Sequence, residues 1–76
     1  RSAKERILWF LKAMSRRSST PDVLHLPMSR CDIADYLGMA HETVSRVFTQ
    51  LKRSEIIAEA SVNHIRILKP AALSHA

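Results

Sequence analysis

The sequence predicts a mainly α-helical domain with a small β-hairpin, an α+β fold built on a three-helix core. Three observations carry this expectation. Residues 3–16, 30–37 and 41–54 each place their apolar side chains on one stripe at helical spacing. The second and third of these stretches are joined only by Gly38, Met39 and Ala40, a connection too short for anything but two helices crossing steeply. Near the end of the chain, residues 64–68 alternate polar and apolar side chains after a β-rich stretch at 56–58, as a two-stranded hairpin does. The 76 residues read as one domain, residues 1–76, and 46% hydrophobic content suffices for one core and not two.

The first helix is expected over residues 3 to about 16. Ala3, Ile7, Phe10, Leu11 and Met14 form its apolar stripe, with Leu8 on the flank. Ser2 is its N-cap candidate and Glu5, three residues on, completes a capping-box pattern. Arg16 and Arg17 lie where they complement the negative end of the helix dipole. Trp9 is out of phase and projects opposite the core, among Glu5, Lys12 and Arg16.

Residues 18–22 carry turn chemistry, Ser-Ser-Thr-Pro-Asp. Val23–Leu26 reads as a short extended segment stopped by Pro27, with His25 a structural or surface residue. Ser29 is the next N-cap, with Asp32 as its capping-box partner. The second helix buries Ile33, Ala34 and Leu37 and ends at Gly38, expected in the left-handed conformation. The third helix runs from about 41 to 54, with Val44, Val47, Phe48 and Leu51 inward. A hairpin follows, with its turn at Ser61-Val62-Asn63 and with Ile65 and Ile67 inward. Lys69-Pro70 ends the sheet, Ala71–Leu73 forms one helical turn, and residues 74–76 are expected to fray. Helix, strand, helix-turn-helix and hairpin together describe a winged helix.

The outer face of the third helix is chemically distinctive. Glu42, Ser45, Arg46, Thr49 and Arg53 share it, opposite the apolar stripe. Arg46 offers a planar two-pronged donor that matches the O6/N7 edge of guanine. Glu42 can accept from a cytosine amino group and hold the guanidinium at i,i+4 spacing. Ser45 beside them can donate, accept or touch a thymine methyl. Thr43, Thr49, Lys52 and Arg53 are placed along the flanks for phosphates, and Ser29 and Arg30 stand at a helix N-terminus, whose amides attract anions. An isolated Glu–Arg pair is ordinarily a surface salt bridge. Here it lies on the second helix of a helix-turn-helix in a basic domain, with twelve Lys+Arg against seven Asp+Glu, a formal charge of +5 and a pI near 10.2. Such a balance favours an anionic partner, nucleic acid first.

Other chemistries find no support. The histidines at 25, 41, 64 and 75 are dispersed and Cys31 is the single thiol, so no metal-ligand spacing and no disulfide emerge. A single glycine rules out a Gly-rich phosphate loop. No nucleophile–base–acid set is suggested, and the chain is not expected to be an enzyme. Cys31 reads as a small packed residue, with a redox role as the alternative. No apolar run approaches a membrane span.

The stretch L-P-M-S-R-C-D-I-A-D-Y-L-G-M-A-H-E-T-V-S-R, with its E-x-x-S-R signature filled by Glu42, Ser45 and Arg46, resembles the C-terminal DNA-binding domain of the CRP/FNR family of bacterial transcription regulators, in its FNR/FixK branch. The similarity extends from S-A-K-E-R-I-L to the A-A-L tail. It implies that Glu42, Ser45 and Arg46 read the half-sites of a TTGAT–ATCAA palindrome, the third helix lying in the major groove. It also implies a cytoplasmic regulator that is a homodimer at full length, with RNA polymerase as a further partner and no membrane attachment. A sensor domain and a dimerisation helix are expected to precede residue 1. No cofactor is implied for this stretch, because the iron–sulfur cysteines of some members lie in that preceding region. Two positions depart from the branch. Ala40 stands where Thr or Ser is usual, which removes an N-cap from the third helix. Glu55 often corresponds to Gly, so either it adopts a positive φ or the turn differs. The rival expectation is a winged helix used as a protein-interaction module, docking on RNA polymerase or on a sensor domain, in which Trp9 and the hairpin matter and Arg46 does not.

Overall fold

A computed structural model describes residues 2–17, 23–61 and 63–74, the side chain of Ser74 excepted. The order of elements is α1 (Ala3–Arg17), β1 (Val23–His25), α2 (Arg30–Leu37), α3 (His41–Arg53), β2 (Ile57–Ser61), β3 (His64–Ile67) and α4 (Pro70–Ser74). The turn expected at 18–22 and residues 75–76 lie outside the described part, as does Val62 of the hairpin turn.

Each helix begins and ends for a legible reason. At α1 the Glu5 amide donates to the Ser2 hydroxyl and the Ser2 amide to the Glu5 carboxylate, a reciprocal capping box. The same exchange joins Ser29 and Asp32 at α2. Helix α2 stops at Gly38, with φ 68° and ψ 38°. There the Met39 amide reaches back to the Ala34 carbonyl (2.9 Å) and the Gly38 amide to Asp35 (3.3 Å), the paired bonds of a Schellman motif. Helix α3 ends in the same way. The Ile56 amide bonds the Leu51 carbonyl (3.0 Å) and the Glu55 amide bonds Lys52 (3.1 Å). The left-handed residue is here Glu55, at φ 56°. Of the two alternatives left by the sequence, the positive φ is the one adopted. Two backbone bonds and the burial of Ile56 beside Leu51 offset the strain of a side chain in that region.

The hairpin is larger than the sequence alone suggests. β1, expected as an isolated extended segment, pairs antiparallel with β3, giving a three-stranded sheet of order β1-β3-β2. Val23 faces Arg66 and His25 faces His64. The strand stops at His25, and the Leu26 amide still bonds the Asn63 carbonyl at 2.7 Å before Pro27 ends the pairing. β2 runs to Ser61, into the expected turn, with an irregularity in register between Glu59 and Ser61.

One core binds these layers. Ile7, Leu8, Phe10 and Leu11 of α1 meet Ile33, Ala34 and Leu37 of α2, the four inward residues of α3, and Leu24, Ile57, Ile65 and Ile67 of the sheet. Leu73 of α4 closes the far side of α1, so the expected single turn is a short helix that completes the core. The Arg6 guanidinium donates to the Leu37 carbonyl and ties α1 to the end of α2. Cys31 is exposed, not packed as expected, because Ile33, Ala34 and Leu37 take the buried side of α2.

Candidate nucleic-acid interface

Because Val44, Val47, Phe48 and Leu51 anchor α3 in the core, its opposite face must stand in solvent. Glu42, Ser45, Arg46, Thr49, Gln50 and Arg53 are all exposed there. Arg46 and Glu42 form an i,i+4 ion pair with side chains 78% and 72% accessible. Such an open pair stabilises the fold by only about 0.3–0.5 kcal/mol, so its consequence is to hold the guanidinium over this face. The Thr49 hydroxyl donates to the Ser45 carbonyl at 3.0 Å. That bond holds the hydroxyl against the helix and leaves its oxygen as an acceptor, which suits a phosphate poorly. Thr43 is half-buried on the flank. At the start of α3, Ala40 has the extended backbone of an N-cap, φ −66° and ψ 142°, with no side-chain cap bond. His41 Nε2 lies 3.0 Å from Asp35 Oδ1 and links the two helices across the turn.

Beside this face lies a cleft of about 500 Å³ between the start of α2, α3 and β2. Ser29, Arg30, Ser45, Phe48, Thr49, Lys52 and Glu59 contribute to its lining. The Ser29 hydroxyl accepts from the Asp32 amide at 3.1 Å and keeps its own proton to donate. The Arg30 guanidinium lies over the Phe48 ring, 4.2 Å from the centroid. Lys52 Nζ is 2.5 Å from Glu59 Oε1, and Arg30 Nη2 is 3.8 Å from Glu59 Oε2. The Lys52 hydrogen bond, then the Lys52 charge, hold the Glu59 carboxyl below its ordinary value of 4.5, against a smaller opposing effect of burial; Arg30 contributes last.

The structure therefore brings Ser29, Arg30, Ser45, Thr49 and Lys52 to one cleft, with Arg46 and Glu42 on the adjoining outer face of α3. Thr43 lies apart from the cleft lining. Sequence reasoning missed Glu59 and Phe48 as partners of the cations. No local signal marks them, because Glu59 is 7 residues from Lys52 and the Arg30–Phe48 contact joins different helices. Among the described residues, no three His, Cys, Asp or Glu side chains gather as metal ligands. No helix among them is long and apolar enough to cross a membrane.

Two crossed helices, a buried and an open face on the second, and a sheet beside them define a winged helix-turn-helix domain. The chain belongs to the Crp-like helix-turn-helix family, whose pattern matches residues 5–76. It is 52% identical over 71 residues to the nitrogen fixation regulation protein FixK of Rhizobium meliloti, covering 93% of this chain and 34% of that protein. It is 44% identical over 72 residues to the transcriptional activator protein FnrA of Stutzerimonas stutzeri, covering 90% of this chain and 29% of that protein. The structure of FixK2 from Bradyrhizobium japonicum superimposes with a TM-score of 0.88 at 39% identity, over 97% of this chain and 37% of that one. The chain thus spans about a third of the length of these relatives. Its family is that of DNA-binding transcription regulators and not of enzymes.

Proposed function

We propose that this domain binds duplex DNA sequence-specifically, with α3 in the major groove and the TTGAT–ATCAA palindrome as its target. The observation that carries the reading is the shared exposure of Glu42, Ser45 and Arg46 on a helix whose other face is wholly buried. In the TTGAT half-site the guanine takes the Arg46 guanidinium at O6 and N7, and the paired cytosine donates its amino group to Glu42. Ser45 contacts a neighbouring base. Ser29, Arg30, Thr43 and Lys52 supply phosphate contacts that set orientation without reading sequence, whereas the Thr49 hydroxyl, its proton given to the Ser45 carbonyl, would first have to turn away from the helix. The relatives named as regulators and activators support a role in transcription control in the bacterial cytoplasm. The full-length protein acts as a homodimer that engages two half-sites one helical turn apart, so the isolated domain binds one half-site weakly.

The test is fluorescence anisotropy with the palindrome and a scrambled duplex at 150 mM salt. The reading requires clear preference for the palindrome; equal affinity would refute it.

A second reading rests on Trp9, 49% exposed beside a cleft of about 290 Å³ lined by Lys12, Ala13, Arg16 and Arg17. An indole on a basic surface suits a protein contact, with RNA polymerase or the sensor domain as the partner. A chemical-shift titration with DNA separates the two. Shifts at Glu42, Ser45 and Arg46 favour base reading, whereas shifts confined to Trp9 and the hairpin favour the protein-docking module.

A further inference from the structure

Glu59 lies against Lys52 and near Arg30, two cations of the candidate interface. It is the one acid among the described residues lining the cleft between α2, α3 and β2. Its two oxygens face two different helices, Oε1 toward Lys52 on α3 and Oε2 toward Arg30 on α2. The two contacts are unequal. Lys52 is hydrogen-bonded, whereas 3.8 Å to Arg30 is too long for a hydrogen bond. Arg30 is therefore positioned chiefly by the Phe48 ring beneath it, and its N–H donors remain available. A carboxylate and a phosphate offer these cations the same kind of paired oxygen acceptors. The Lys52 hydrogen bond holds the Glu59 carboxyl below its ordinary range and so favours the ionised form.

We propose that Glu59 is a built-in stand-in for a DNA phosphate. Resting on the DNA-binding reading above, the inference is that Glu59 holds Lys52 in the free domain, attracts Arg30 more weakly, and opposes every duplex that enters the cleft. Its effect falls on sequence-independent binding, since phosphates are common to all sites while base contacts are not. Glu59 thus weakens binding to cognate and non-cognate duplexes alike, without touching a base.

The experiment compares wild type with Glu59→Gln on the palindrome and the scrambled duplex from 50 to 300 mM potassium chloride, with thermal melts of both proteins. Glutamine keeps an acceptor for Lys52 and removes the charge. The expected result is binding to the scrambled duplex tightened roughly three- to tenfold at 50 mM salt, and a log K against log salt slope steeper by about 0.9, one phosphate equivalent. Unchanged or weaker binding with an unchanged slope and melting temperature would overturn the proposal. A second measurement needs no substitution. On titrating the wild type with scrambled duplex, the Glu59 carboxyl carbon resonance should move as its cations leave it; a resonance that stays fixed at saturation also overturns the proposal. Failure of wild type to prefer the palindrome would refute the base-reading role of α3, while both measurements on the scrambled duplex would still decide the role of Glu59.

Discussion

Replacing Ala40 by serine should stabilise the domain by about 1 kcal/mol, within a range of about 0.5–2 kcal/mol for restoring a missing N-cap. The structure supplies the terms. The first amides of α3 have no intrahelical acceptor. The backbone of Ala40 already has N-cap geometry, φ −66° and ψ 142°, and its carbonyl accepts the Val44 amide at 3.2 Å. A hydroxyl there can reach the amide of Glu42 or Thr43 with no backbone change. Ala40 is exposed, so the added oxygen meets no packing conflict. Ser29 provides an internal reference, because its hydroxyl makes this bond at α2 with 3.1 Å to the Asp32 amide. Ser29→Ala should therefore lower stability by a similar amount. In a domain of this size about 1 kcal/mol corresponds to roughly 4–8 °C in Tm. Thermal melts followed by circular dichroism at 222 nm read both variants. If Ser29→Ala melts lower while Ala40→Ser melts at the wild-type temperature, the start of α3 is not under-capped and the reasoning is wrong.

Three further outcomes are expected. Gly38 and Glu55 occupy equivalent left-handed positions at φ 68° and φ 56°, so exchanges there should act oppositely. Gly38→Ala should lower stability by about 1 kcal/mol through backbone strain alone, because the added methyl group meets nothing; Glu55→Gly should raise it by up to about 1 kcal/mol, and urea melts of both variants test the pair. Ile33→Ala, at a fully buried position of α2, should lose about 2–5 kcal/mol in the same assay. The Glu59 carboxyl, lowered from 4.5 by Lys52 first and Arg30 last, binds protons more weakly folded than unfolded. Its contribution is therefore present above pH 4.5 and is lost as pH falls through the depressed value. Between pH 6 and pH 3 the wild type should lose more stability to urea than Glu59→Gln does, and parallel losses would contradict the assignment.

What the sequence made legible was local or periodic. The stripe Val44, Val47, Phe48 and Leu51 had one physical solution, and all four residues are buried. The Ser29–Asp32 box and the Gly38 stop follow from chemistry within a few residues, and both are present. Glu55 was legible only as a choice, because the Schellman bonds that hold it depend on where α3 ends. The pairing of β1 with β3 was not legible: Val23 and Arg66 come together through the burial of Leu24 and Ile65 in a core assembled by the helices. The same holds for the candidate site. The outward face of α3 could be read from its period, whereas Glu59 entered only when the hairpin folded back on α3. Cys31 was misjudged because cysteine is usually buried, yet its position on α2 faces solvent.

The central claim is that Arg46 reads one base pair. It is tested most directly by measuring Arg46→Ala and wild-type affinities for the palindrome and for duplexes substituted at each half-site position in turn. Wild type should lose about 1–3 kcal/mol when the G·C pair of TTGAT is replaced, and Arg46→Ala should lose discrimination at that pair while keeping it elsewhere. A variant that binds every duplex more weakly by the same factor would show that Arg46 touches phosphate and not base, and would refute base reading by α3.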